Sequence, residues 1–113
     1  MKKKISLITG VAGFLGSHIA DKMLSLGHEV HGVDNLLGGY ANNVPKGVTF
    51  TEHDLNDLGG LVPLMNGCDI VYHTACTAYE GLSVFSPSLV VRNTVQISVN
   101  TMTSAVINKC KKF

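Results

Sequence analysis

The segment Thr9-Gly10-Val11-Ala12-Gly13-Phe14-Leu15-Gly16 constrains this chain more than any other, because it joins two stretches of different periodicity through three glycines. Before it, Ile5 to Thr9 is an apolar run of strand length; after it, Leu15, Ile19, Met23 and Leu26 recur along one face of a helix. Glycine at such a junction permits a sharp strand-to-helix turn, lets backbone approach a pyrophosphate with no Cβ in the way, and allows the helix to pack close on the sheet. The free N–H groups and positive dipole end of a helix starting near Phe14 would then face the phosphates. Gly16 is followed by Ser17 and His18, where a P-loop would need Lys and then Ser or Thr, so phosphoryl transfer is disfavoured.

The alternation continues along the chain. Gly27 suits the left-handed position that ends a helix, and Glu29 to Asp34 resumes as a strand, completing a crossover unit of about 30 residues. Asn35 to Gly47 is rich in Gly, Asn and Pro and reads as a loop with at most one helical turn, before a third strand at Val48 to Glu52. Leu58, Leu61, Val62 and Met65 have helical spacing in spite of Gly59, Gly60 and Pro63, which predicts a short helix held by packing. After a turn at Asn66 and Gly67, Ile70 to His73 is a fourth strand, and Pro87 precedes one long helix from Ser88 to Lys109. Strands alternating with helices predict an α/β fold. The expected form is a Rossmann-like doubly wound parallel sheet, a four-stranded half in the order 3-2-1-4 truncated before a fifth strand, in one domain over residues 1–113.

Composition narrows the function classes. A chain of 113 residues, 45% of them hydrophobic, can bury roughly 60–70% of its unfolded surface around one core and needs no disulfides. Nine Lys and Arg against eight Asp and Glu leave a formal charge of +1, without the basic footprint of a nucleic-acid or anionic-lipid binder. Cys68, Cys76 and Cys110 contain no CxxC pair, so no zinc cluster is expected and a reducing cytoplasm is the default. His28 and His31 fall on opposite faces of a strand, which removes them as a shared metal site. Met1 to Lys4 and the uncharged Ile5 to Gly16 imitate a secretory signal, but Gly10, Gly13 and Gly16 interrupt the apolar region and no small-x-small cleavage site follows before Asp21. No stretch has the length of a membrane span.

Asp34 closes the second strand about 20 residues beyond the glycine turn, where a carboxylate can accept hydrogen bonds from both hydroxyls of an adenosine ribose. It would also repel a 2′-phosphate, favouring NAD over NADP; the plainer alternative is an Asp that caps its own loop backbone. With these residues in place the chain resembles the extended short-chain dehydrogenase/reductases, specifically the NAD-dependent nucleotide-sugar epimerases and dehydratases. Thr9 to Gly16 fits that family's TGxxGFxG signature at every fixed position, which implies cofactor contacts for Gly10, Ala12, Gly13, Phe14, Leu15 and Gly16. Asp34-Asn35-Leu36 is similar to the family's ribose-binding strand end, and Asp54 and Leu55 to the pair that contacts the adenine amino group and packs on the ring. Val71 to Cys76 resembles a strand running into His-x-Ala-Ala, with Thr74, Ala75 and Cys76 at the cofactor and Cys76 departing from the pattern. The resemblance implies a mainly structural part for His73. Asn93 matches an Asn that is structural or near the nicotinamide, and Gln96 and Ile97 stand where the family has Gly-Thr.

The resemblance implies NAD as cofactor and a nucleotide sugar as substrate of the full-length enzyme only. It also implies a catalytic Ser or Thr and a Tyr with Lys four residues later, yet Val44, Cys76 and Ser83 follow Tyr40, Tyr72 and Tyr79 at that distance. The chain stops at Lys111-Lys112-Phe113, where family members begin the fifth strand. The expectation is therefore the amino-terminal, NAD-binding portion of an epimerase or dehydratase, with no catalytic or metal-binding residue of its own. A free-standing NAD-binding or protein-interaction module is the alternative. An unpaired fourth-strand edge and a final helix apolar on more than one side (Val90, Val91, Val95, Ile97, Val99, Met102, Val106, Ile107) predict a homodimer or larger species.

Overall fold

A parallel strand covered on both faces buries nearly every side chain, and its sequence loses the apolar/polar alternation of a half-exposed strand. In the computed structural model, which describes residues 2–113, β1 (Ile5–Thr9) behaves this way: Ser6, Leu7, Ile8 and Thr9 are all fully buried. Leu7 and Ile8 point into different cores. With β2 (Glu29–Asp34), β3 (Thr49–Glu52) and β4 (Ile70–His73), β1 forms one parallel sheet in the order β3-β2-β1-β4. Registers such as Ser6↔Val30, Leu7↔Val71 and Gly32↔Phe50 place β1 at its centre.

One face is covered by α1 (Phe14–Ser25), whose Ala20, Ile19 and Met23 pack with Ile8, Val11 and Val30. The other is covered by α2 (Leu58–Leu64) and, from the end of the chain, α5 (Ile97–Ile107), which bring Leu61, Ile97 and Ala105 to Leu7, Val33 and Val71. This is the half-sheet expected from the alternation of elements. Gly27 and Gly67 occupy the positive-φ positions after α1 and before β4. Propensity does not favour α2, which contains Pro63; an Asp57 carboxylate accepting from the Gly60 N–H at 3.1 Å and the full burial of Leu61 and Met65 hold it.

The structure departs from expectation after β4. Instead of one helix from Ser88 to Lys109, there are α3 (Glu80–Phe85), α4 (Pro87–Val91), a π-helical turn (Arg92–Gln96) and α5. Ser86 separates α3 from α4 with φ −141° and ψ 62°, because the ring of Pro87 excludes the residue before it from the helical region. Periodicity could not reveal α3, since none of its residues is buried and Val84 and Phe85 stand 76% and 88% exposed. The helix ends two residues early: Lys109 takes φ +55° and the Cys110 N–H returns to the Ala105 carbonyl at 2.9 Å, a Schellman closure.

The fourth-strand edge, expected to be unpaired, is covered at one point. The Lys112 N–H donates to Asp69 O at 3.2 Å and Lys112 O accepts from the Val71 N–H at 3.0 Å, so the tail makes one isolated parallel bridge, Ile70↔Lys112, beside the four-stranded sheet.

Two glycines test the packing in opposite directions. A Cβ on buried Gly32 would lie 2.6 Å from a Val11 methyl, whereas one on Gly81 in α3 meets nothing. Gly32→Ala is expected to destabilise by about 1–3 kcal/mol through overpacking. Gly81→Ala should stabilise by about 0.5–1 kcal/mol through helix propensity, both read by urea unfolding.

Candidate functional site

The site begins where β1 ends. Gly10, at φ +71°, turns the chain out of the sheet, and its N–H donates to the Val33 carbonyl at 2.9 Å. A Cβ there would sit 2.9 Å from the backbone of Ala75, and one on Gly16 would run into the Gly10 carbonyl. The first glycine therefore admits the end of β4, and the third lets α1 lie against the turn. Gly13, the middle one, is the N-cap of α1 and has no side chain to accept a hydrogen bond. The first bond into the helix is Ser17 N–H to Gly13 O at 3.1 Å, so the N–H groups of Phe14, Leu15 and Gly16 have no acceptor among the described residues. Three oriented donors at a positive dipole end suit an anion such as phosphate.

Asp34 latches the same turn. One carboxylate oxygen accepts from the Ala12 N–H at 3.0 Å and the other from the Leu36 N–H at 2.8 Å. The loop-capping alternative is thus realised, and each oxygen keeps a second acceptor site for a hydroxyl.

A cleft of ≈ 280 Å³ opens over the C-terminal ends of the strands, the position where open α/β sheets bind ligands. Gly10, Gly13, Asp34, Asn35, Asp54, Leu55, Thr74, Ala75, Cys76 and Asn93 share its wall, so ten of the expected residues, scattered in sequence, converge. Ala12, Phe14, Leu15 and Gly16 do not line it. Ala12 and Gly16 are buried beneath the turn, and the Phe14 and Leu15 side chains point into solvent; what these positions offer is backbone. The wall also contains Leu37, Gly38, Gly39, His53, Thr77, Ala78, Tyr79 and Ile97, which sequence reasoning missed. Most lie in loops without periodicity. The Gly38-Gly39 pair was the one available signal: a Cβ on Gly39 would lie 2.7 Å from the Ala12 carbonyl, and one on Gly38 3.2 Å from the Tyr79 hydroxyl.

Asparagines from the last helical segment brace the third side. Asn56 Nδ2 donates to Asn93 Oδ1 at 3.1 Å and to Asp54 Oδ1 at 3.0 Å, while Asn100 Nδ2 donates to Leu55 O at 2.9 Å. The π turn carries one residue more than an α turn. Gln96 closes that turn and Ile97 opens α5.

Behind the wall runs a directed chain of hydrogen bonds. Thr9 Oγ1 accepts from the Thr74 and Ala75 N–H groups at 3.1 and 3.3 Å, so its own hydrogen goes to His73 Nδ1 at 2.7 Å. His73 Nε2–H then donates to Ser98 Oγ at 2.8 Å, and the Ser98 hydroxyl to Thr94 O at 2.6 Å. This order requires a neutral imidazole, and burial pushes its pKa below the ordinary 6.5. No group of three or more potential metal ligands occurs among the described residues.

Comparison with known proteins converges on the same fold. The profile of the NAD dependent epimerase/dehydratase family matches residues 6–113. UDP-glucuronic acid decarboxylase 1 of Danio rerio is 38% identical over 85 residues, 75% of this chain and 20% of that protein. The structure of UDP-glucose 4-epimerase from Thermotoga maritima with UDP-glucose superposes with a TM-score of 0.93 at 30% identity, covering 96% of this chain and 36% of that one. The Thermus thermophilus UDP-glucose 4-epimerase complex with NAD gives 0.86 at 35% identity, covering 93% and 34%. The chain thus spans about a fifth of that curated relative and about a third of these two solved structures.

The His73 chain has a pH signature. Because the folded-state pKa is depressed, the unfolded chain binds more protons just below 6.5; the contribution is complete above that pH and is lost as pH falls from there through the lower folded-state pKa. Urea midpoints should drop between neutral and mildly acidic pH, and His73→Gln should flatten that slope.

Proposed function

The chain belongs to the NAD dependent epimerase/dehydratase family, and we propose that residues 1–113 are the NAD-binding portion of a nucleotide-sugar epimerase or dehydratase, such as one similar to UDP-glucose 4-epimerase. One observation carries the reading: Gly10, Gly13 and the Asp34 carboxylate share the wall of one cleft, and the helix that follows Gly13 starts with three N–H groups that have no acceptor among the described residues. These groups fit a dinucleotide. The N–H groups of Phe14, Leu15 and Gly16 hold its pyrophosphate, and the unused lone pairs of Asp34 accept from the adenosine ribose. Asp54 and Leu55 receive the adenine, while Ala75, Cys76 and Asn93 lie toward the nicotinamide half.

When bound, NAD supplies reversible acceptance of a hydride from a sugar carbon. The work of this chain is to bind and orient it. The contact of Ala75 with the glycine turn fixes the distance between the phosphate site and the β4 end of the wall. None of the three tyrosines has a Lys four residues later, so proton abstraction at a sugar hydroxyl would fall to residues outside these 113. Epimerisation and decarboxylation belong to the relatives; for this chain they are activities of a longer protein. No helix among the described residues is long and apolar enough to cross a membrane, and the three cysteines are free, which suits a reducing cytoplasm.

We also propose self-association. Val91, Val95, Val99, Met102 and Val106 recur every three or four residues and are each more than half exposed, an apolar stripe that a second copy of the same helix would cover.

Two measurements test these readings. By calorimetry NAD should bind at least about tenfold more tightly than NADP, and Asp34→Asn, which keeps the shape and removes the charge, should narrow that gap. Equal affinities in the unmodified protein would overturn the assignment. Light scattering should give at least twice the 12.0 kDa chain mass, and Val99→Glu with Val106→Glu should return a monomer.

A further inference from the structure

Two of the three thiols are brought together by the tail although they are far apart in sequence. The parallel bridge pairs Ile70 with Lys112, and two residues back on each side stand Cys68 and Cys110. Neither cysteine lies in a strand, but the Lys111 N–H donates to the Asp69 carbonyl at 2.9 Å, which lays the segments Cys68–Asp69 and Cys110–Lys111 alongside each other. A disulfide spans Cα separations of roughly 4.4–6.8 Å, a reach open to residues on two adjoining segments. Side-chain placement agrees. Cys68 is buried among Leu7, Leu61 and Met65, and Cys110 packs on that same cluster. The two thiols are close enough to act on each other's ionisation, and both are reduced.

We infer that Cys68 and Cys110 are an oxidisable pair, a covalent latch between the start of β4 and the tail that a small-molecule disulfide can close. The step balances as two exchanges. The thiolate of Cys110, the more accessible of the two, displaces one thiolate from R–S–S–R and forms a mixed disulfide; Cys68 then attacks the Cys110 sulfur and expels the second. Two protein thiols lose two electrons and two protons, and one small disulfide becomes two thiols. Burial and the neighbouring Cys110 charge push Cys68 up to about 12, so the closing step is slow at neutral pH and accelerates as pH rises. The mixed disulfide also removes the Cys110 charge that opposes ionisation of Cys68. Cys76, exposed in the cleft wall, has no such neighbour and serves as an internal control. The closed loop would contain Thr74 to Tyr79, Asn93 and Ile97, so the latch constrains one wall of the cleft.

Incubating the 113-residue protein with excess oxidised glutathione at mildly alkaline pH, followed by acid quench, alkylation and unreduced peptide mapping, tests the pair. The expected product is a Cys68–Cys110 cross-linked peptide lighter by two hydrogen atoms, with Cys76 carrying glutathione and a thermal midpoint several degrees higher that dithiothreitol reverses. Cys110→Ser, at a half-buried position, should lose both the cross-link and the shift. Cys68 and Cys110 both remaining alkylatable in denaturant after oxidation would overturn the inference, as would a bridge to Cys76 or an unchanged thermal shift in Cys110→Ser.

Discussion

The contact on which the rest of this structure depends is the stacking of three pieces of backbone at the end of β1: Gly16 on the Gly10 carbonyl, and Gly10 on the N–H and Cα of Ala75. No side chain fits at either junction. The contact fixes where α1 starts, hence where its free N–H groups point, and it sets the spacing between the first and fourth strands beyond the end of their ladder. Asp34 reinforces the arrangement from the second strand by holding Ala12 and Leu36 at once. A carboxylate that both shapes the turn and faces the cleft couples rigidity to recognition: a ligand hydroxyl bonds to a group already oriented by the protein, at little further entropic cost.

The same logic runs through the back of the site. Thr9 is a strand residue with no access to the cleft, yet its hydroxyl collects two N–H groups from the loop after β4 and passes its own hydrogen to His73. The sequence of donors is unidirectional from Thr9 to the Thr94 carbonyl, which ties β1, β4 and the last helix together without any charge. In a buried setting a neutral, fully satisfied chain avoids the desolvation penalty that an ion pair would carry.

How much of this could be read from residues alone follows from where the information lies. The order of the strands was legible because Leu7, Val30 and Val71 are core residues in runs bounded by Gly27, Gly67 and the glycine turn, so burial and punctuation agree. The convergence of Asp34, Asp54 and Ala75 was legible because parallel strands put their carboxyl ends on one edge. The loops bearing Leu37 and Tyr79 were not, since their conformation is set by contact across the cleft rather than by local pattern. Nor was α3, whose Val84 and Phe85 face solvent and leave no periodic trace. The tail illustrates a third case: Lys111-Lys112-Phe113 has no strand character by composition, and what aligns it are contacts with distant residues, the backbone bonds to Asp69 and Val71 and the Lys111–Asp69 ion pair at 3.6 Å.

The π turn at Arg92–Gln96 has a geometric corollary. In a regular helix an added residue does not lengthen one face; it turns everything downstream by about 100°. Here the extra residue is absorbed within a single wide turn, so the side chains on either side keep their assignments: Asn93 stays with Asn56, and Ile97, Asn100 and Ser104 stay turned to the protein interior. The extra residue is held as a local bulge between α4 and α5. The exposed stripe of Val91, Val95, Val99, Met102 and Val106 and the buried set of Ile97, Asn100 and Ser104 therefore both run along one helical segment in spite of the wide turn within it.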